Sequence, residues 1–169
     1  MNRKLIFVIA FPIIVLMGVS SFHGIRRLFG ASLFVDIRGY DPRDLLSGHF
    51  LTFQIDFGSV NPCTETPTPE CICLRSVSEF SSALSWSGAC DSAPSDCGVP
   101  IRGTCKFGAF LTGIERFYFP EEYQSVLSVV PPSSKAELKV SPQGKAALVD
   151  LWVGEERILD YAKRIANKR

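Results

Sequence analysis

Three hydrophobic patterns follow one another along the chain. The first is continuous. Residues 5–22 contain no charged side chain, and only Pro12, Gly18, Ser20 and Ser21 interrupt the apolar run. Apolar positions cover every side of a helical projection, so the run has no polar face to turn to water, unlike a helix on a soluble core. As a helix, its 18 residues extend about 27 Å at 1.5 Å per residue, close to the ~30 Å of bilayer hydrocarbon. Arg3 and Lys4 precede the run and Arg26 and Arg27 follow it. Charges are costly inside the bilayer and so mark its ends. Pro12 is tolerable in a membrane helix, where neighbouring groups satisfy the freed carbonyl. Val19, Ser20 and Ser21 offer small residues to a signal peptidase. The run nevertheless exceeds a usual signal-peptide core and reads as an uncleaved signal anchor.

The second pattern has a period of two and predicts strands. Residues 33–38 form one. In residues 49–57, Leu51, Phe53, Ile55 and Phe57 share one face, the mark of a half-buried strand. Between them Asp41 can cap a helical turn, with Pro42 at its first position, Asp44 where a capping-box acid sits, and Gly48 as the stop. Further strands are expected over 105–114 and 116–119. Pro120, Glu121 and Glu122 open a short helix reaching about residue 130, which Pro131 and Pro132 end; the two acids there complement the helix dipole. Residues 136–140 and 145–153 form a hairpin around Ser141-Pro142-Gln143-Gly144. From Ile158 on, Tyr161, Ile165 and a basic end indicate a frayed helix or tail. The fold class expected is mainly β: a small antiparallel β domain with one or two short helices, preceded by a single N-terminal transmembrane helix. Its divisions are an anchor at 1–30, a β-rich domain at 31–160 and a basic tail at 161–169.

The third pattern interrupts the second. All six cysteines (Cys63, Cys71, Cys73, Cys90, Cys97 and Cys105) fall in one stretch rich in Ser, Thr, Pro and Gly. Such composition buries too little apolar surface to offset its ordering entropy. The block at about 60–105 therefore reads as an insertion, a loop stapled by disulfides, each contributing about 2–4 kcal/mol. Zinc fits poorly: the intervals of 7, 1, 16, 6 and 7 residues hold no Cys-x-x-Cys knuckle, and no histidine lies in the block. No metal or other cofactor is expected. An extended strand at Cys71-Ile72-Cys73 is expected to turn the two thiols to opposite faces, each with its own partner. Cys90 and Cys97 bracket a short turn-like loop and are expected to bond to each other.

Charge adds a compartment and removes a partner. Residues 1–30 hold four bases and no acid, which leaves 14 bases against 17 acids in the remainder, a balance of −3. A mildly acidic domain lacks the dense Lys/Arg surface that phosphate backbones require, so nucleic acid is not an expected partner. The bases flanking the apolar run nearly balance, leaving its orientation open. The cysteines break the tie in favour of a domain outside the cytoplasm.

Candidate chemistry is thin. Asp36, Asp41, Arg43, Asp44 and His49 crowd into fourteen positions. His49 beside Asp41 or Asp44 has the residue types of a general base. The plainer reading, preferred here, is that the aspartates and Arg43 cap and pair within the turn. Arg43 and Trp86 are the binding candidates, and Trp86 serves equally as the small core that disulfides close over. Trp152 reads as core. The terminal Lys163, Arg164, Lys168 and Arg169 read as a solvated tail rather than a lipid contact. No Gly-x-Ser-x-Gly, Ser-x-x-Lys or glycine-rich phosphate loop occurs.

The stretch Asp41-Pro42-Arg43-Asp44-Leu45-Leu46-Ser47-Gly48-His49-Phe50-Leu51-Thr52-Phe53-Gln54-Ile55 resembles the GDYXXLXY family of membrane-anchored bacterial proteins. Gly48 matches the glycine of the motif; His49, Phe50, Phe53 and Ile55 stand where the motif has Asp, Tyr, Leu and Tyr. Arg116-Phe117-Tyr118-Phe119-Pro120-Glu121 resembles the family's aromatic-Phe-Val-Pro-Glu segment, and residues 144–151 fit a late strand with a glycine before it. The resemblance covers roughly 1–57 and 105–158, with the cysteine block as an insertion. It implies an anchor and an extracytoplasmic domain, and supplies no catalytic residues. The expected setting is a bacterial inner membrane crossed once, with the domain in the periplasm or outside the cell. The partners expected are the membrane itself and another envelope or membrane protein, bound without catalysis. A membrane-tethered hydrolase using His49 and a thiol-disulfide oxidoreductase are the alternatives.

Overall fold

A computed structural model describes residues 11–18, 30–39, 50–58, 60–64 and 67–168. The chain divides into two units, Met1–Gly30 and Ala31–Arg169. In the first, residues 11–18 form helix α1, exposed along its whole length. Among the described residues no helix is long and apolar enough to cross a membrane. Residues 5–10 and 19–22 of the apolar run lie outside those described.

The second unit is antiparallel β. Its strands are β1 (Ala31–Gly39), β2 (Phe50–Ile55), β3 (Cys71–Ser78), β4 (Ser81–Gly88), β5 (Val99–Arg102), β6 (Thr104–Lys106), β7 (Ala109–Leu111), β8 (Arg116–Tyr118), β9 (Ser134–Val140), β10 (Ala146–Val153) and β11 (Glu156–Arg157); helix α2 (Ile158–Ala166) follows. Six of the strands form one sheet in the order β11-β10-β9-β1-β2-β8. The period-two pattern explains its register. Leu33, Val35 and Ile37 of β1 are buried, as are Leu51, Phe53 and Ile55 of β2. Ile37 stands opposite Ile55, and Leu33 opposite Leu138 of β9. A slip of one residue would turn these sets to solvent.

β10 meets the same demand with an irregularity. Ala146 and Leu151 are both buried although an odd spacing puts them on opposite faces of a regular strand. A register shift between Leu148 and Asp150 absorbs the difference, and Val149 is left exposed. The sheet curls until β8 returns to contact β10. Tyr123, Leu127, Ile158 and Ala162 join the sheet residues in one core. Ile158 and Ala162, four apart on α2, form its buried stripe. Full burial of a side chain such as Phe53 or Leu138 contributes about 1.5–3 kcal/mol.

Four expectations change. The helix expected from residue 120 to 130 is a 3-10 turn, Glu121–Tyr123, followed by turns. The Tyr123 C=O then accepts the N–H groups of Val126 at 3.0 Å and Leu127 at 2.8 Å, and Tyr123 and Leu127 are both buried in the core. Val129, Val130 and Pro131 then oppose helix. The strand expected over 105–114 is the β6–β7 hairpin, folded back at Phe107-Gly108, where both φ angles are positive (53° and 75°). Of the frayed helix or tail expected from Ile158, the helix forms, and residues 161–166, assigned to the tail, belong to α2; Arg164 pairs with Glu156 at 2.8 Å.

The fourth change concerns the cysteine block, which is a sheet and not a loop. β4, β3 and β5 form three strands in that order. Ile72, Leu74 and Ile101 supply an apolar face continuous with the main core. β4, built of Ser, Ala and Gly around Leu84 and Trp86, lies close against β1, and β5 against β9. Because β2 pairs directly with β8, residues 56–115 are an excursion between two neighbouring strands.

Candidate functional site

The excursion is built from β3 outward. The first four residues of β3 are buried on both faces. Ile72 and Leu74 face the core. Cys71 and Cys73, two apart, share the other face, so the expectation that they diverge is corrected, while each does take its own partner. Cys71 bonds Cys90 and Cys73 bonds Cys97. The expected Cys90–Cys97 bond is therefore absent: the two cysteines flank a loop clamped onto β3 at two points. Arg75 adds a third, its guanidinium reaching the Asp96 carboxylate at 3.0 Å. Cys63–Cys105 joins the start of the excursion to β6. Every cysteine is bonded, which leaves no thiolate for zinc. Trp86 stands opposite Cys73 in the ladder, with its ring over Gly88, where an added Cβ would lie 2.6 Å from it. This position fits the small core beside the disulfides.

Beyond the clamp an open cleft of about 600 Å³ has Arg102, Lys106, Lys145 and Glu115 on its walls. Tertiary contacts assemble it. The Arg102 N–H donates to Gly144 C=O at 2.7 Å. Gly144 has φ +81°, and any side chain there would press on Arg102 Cγ at 3.1 Å. This close approach seats the β9–β10 turn on β5 and brings Lys145 beside Arg102. On the far wall the Glu115 carboxylate accepts the N–H groups of Thr112 and Gly113 and the Thr112 hydroxyl. Glu115 thus satisfies a backbone concavity of the kind that holds anions. Arg102, Lys106 and Lys145 form no ion pair among the described residues. The walls carry three cations against one carboxylate and suit an anionic group.

A second charged cluster lies on the sheet. Burial pushes the Asp150 carboxyl above its ordinary value; it accepts the Leu151 N–H at 2.8 Å and faces Arg157. Glu137, opposite Asp150, accepts the indole N–H of Trp152 at 3.0 Å. Trp152 is half-buried, its ring against Phe34 and under Arg157. Each carboxylate here has a structural partner.

Of the residues singled out in sequence, Asp41, Arg43, Asp44 and His49 lie outside the described residues. The flanking positions Gly39 and Phe50 are at the end of the sheet away from Ala31. Asp36 pairs with Lys135 at 3.1 Å, and Lys135 also donates to Phe80 C=O at 2.7 Å. No motif in the sequence marks the cleft residues. A residue followed by glycine, Phe107-Gly108, was the available signal for the hairpin; nothing local signals the meeting of Lys145 with Arg102.

Fold and site together define a disulfide-stapled antiparallel β domain with a cationic, open cleft. The family profile described as GDYXXLXY protein matches residues 12–151, and the chain belongs to that family. No curated protein and no solved structure matches it.

Proposed function

We propose that the chain is a membrane-anchored protein whose β domain stands outside the cytoplasm and binds another envelope component without catalysis. The observation that carries this reading is the set of three disulfides. Such bonds persist in oxidising compartments and are rare in the cytosol. Helix α1 supports the anchor: Phe11, Ile14, Leu16 and Met17 are each at least 66% exposed, a surface that suits lipid better than water. The excursion supports binding. Its bonds hold a rigid, open surface rather than enclosing a reaction chamber. Attack at Cys71 or Cys73 is disfavoured, because an attacking thiolate needs access and these two are 2% and 0% exposed.

The test is alkylation mass spectrometry on membranes prepared without reductant, with alkaline carbonate extraction of the same sample. The reading expects every thiol blocked until reduced, and a chain that resists extraction. Free thiols would overturn the compartment; release by carbonate would overturn the anchor.

A further inference from the structure

One end of the β domain has a chemistry that the fold alone does not require. Ala31, where the chain enters the domain, is opposite Val140, so the β9–β10 turn marks this end of the sheet. Lys145 of that turn lines the cleft with Arg102 and Lys106. β2 runs toward the same end, with Ile55 opposite Ile37. Past it, Asn61 holds the β6–β7 hairpin: its side-chain amide donates to Gly108 C=O at 3.0 Å, and its carbonyl oxygen accepts the Cys63 N–H at 2.9 Å. Cys63 is in turn bonded to Cys105 of β6. A firmly held turn therefore presents Phe107, with φ +53° and 101% exposure.

A bulky residue at positive φ is an outlier where Asn or Gly is unstrained. Strain of this kind persists where function needs it. The ring gains no burial in return. The cleft is also locally cationic. The cleft walls carry three cations and one acid in a domain with a balance of −3. At the opposite end of the sheet, Ser134 faces Val153, the next turn carries Glu155, and Glu156 of β11 is paired with Arg164.

We propose that this end rests on an anionic phospholipid surface, with the Phe107 ring in the interfacial layer and Lys106, Arg102 and Lys145 against lipid phosphates. The inference rests on the anchored reading above. Only residues 23–30 separate the apolar run from Ala31, and eight residues span at most about 30 Å. An aromatic ring among cations suits the headgroup region, where amphipathic groups and basic side chains concentrate. A convex hairpin tip suits a deformable surface better than a protein pocket.

The test uses the full chain in vesicles of phosphatidylcholine with phosphatidylglycerol, part of the lipid carrying brominated acyl chains. Phe107→Trp adds one fluorophore to Trp86 and Trp152. Its added emission should shift to the blue and lose most of its intensity to the bromines. In phosphatidylcholine alone, or with Arg102→Glu, Lys106→Glu and Lys145→Glu combined, that quenching should be largely lost. Disulfide-bonded mass reports that each variant is folded. Unquenched emission from a chain that resists carbonate overturns the inference and leaves the anchor standing. Shielding of the added Trp in native membranes but not in vesicles also overturns it, in favour of a protein partner. Quenching indifferent to lipid charge and to the three substitutions overturns the role of the cations. Release of the chain by carbonate overturns the anchor alone when quenching persists.

Discussion

The six-stranded sheet and the excursion at residues 56–115 solve the same problem with different materials. In the sheet, strands from distant parts of the chain place matched apolar faces together, Leu33 on Leu138 and Ile37 on Ile55. α2 and the Tyr123–Leu127 turn pack into the same core. The excursion contributes Ile72, Leu74 and Ile101 to that core, and its other face is closed by Cys71–Cys90 and Cys73–Cys97. Burial holds the first region and specifies which strands meet. Covalent bonds hold the second, which frees its surface residues for charge. The cationic cleft and the exposed Phe107 lie in the second region or on its border with the first.

The largest effect that would break this contrast is in the sheet. Phe53 is fully buried on β2, and Phe53→Ala should cost about 3–5 kcal/mol, lowering the denaturant midpoint of both regions together. Loss confined to one region would mean that the two do not share a cooperative core. Next comes the clamp. Cys73→Ser with Cys97→Ser should cost about 2–5 kcal/mol. Hydrogen exchange should then quicken in β3, β4 and β5 while β1, β9 and β10 keep their protection. Equal loss in all strands would show that the bond supports the sheet as well.

The smallest effect lies at the seam. Arg38, by its hydrogen bond and charge, holds the Asp56 carboxyl below its ordinary value, aided by the Gly58 N–H at 2.8 Å. A depressed carboxylate stabilises the fold above its unfolded pKa of about 3.9. That contribution disappears as pH falls from there through the lowered folded value. The pair is largely exposed, 57% at Arg38 and 31% at Asp56, so its contribution is at most about 1 kcal/mol. Asp56→Asn should flatten the acid limb of stability against pH by that amount. An unchanged acid limb would remove the pair from the account of the seam.

Much of the sheet was legible in local pattern. Alternation at Leu51, Phe53 and Ile55 named both a strand and its buried face, and the Ser141–Gly144 turn joined two further strands. The composition of the excursion, rich in Ser, Thr, Pro and Gly, predicts a loop. A strand needs little apolar surface of its own when β1 lies close on one side and disulfides close the other. The Cys90–Cys97 expectation failed for a related reason. Proximity in sequence favours a short loop, but β3 offered two sulfurs on one face, and two rungs clamp a loop better than one bond across its neck.

The sequence by itself determined the apolar N-terminal run, the strand faces, the family and an even set of cysteines gathered in one block. These are properties of neighbours along the chain, where periodicity and composition act directly. Only the tertiary structure decided which cysteines bond, that β2 and β8 pair across the whole excursion, and that Arg102, Lys106 and Lys145 share one end of the domain. Each of these needs residues far apart in sequence to meet. They meet because burial of the shared core fixes strand order and register, and the charged surface takes its arrangement from that order.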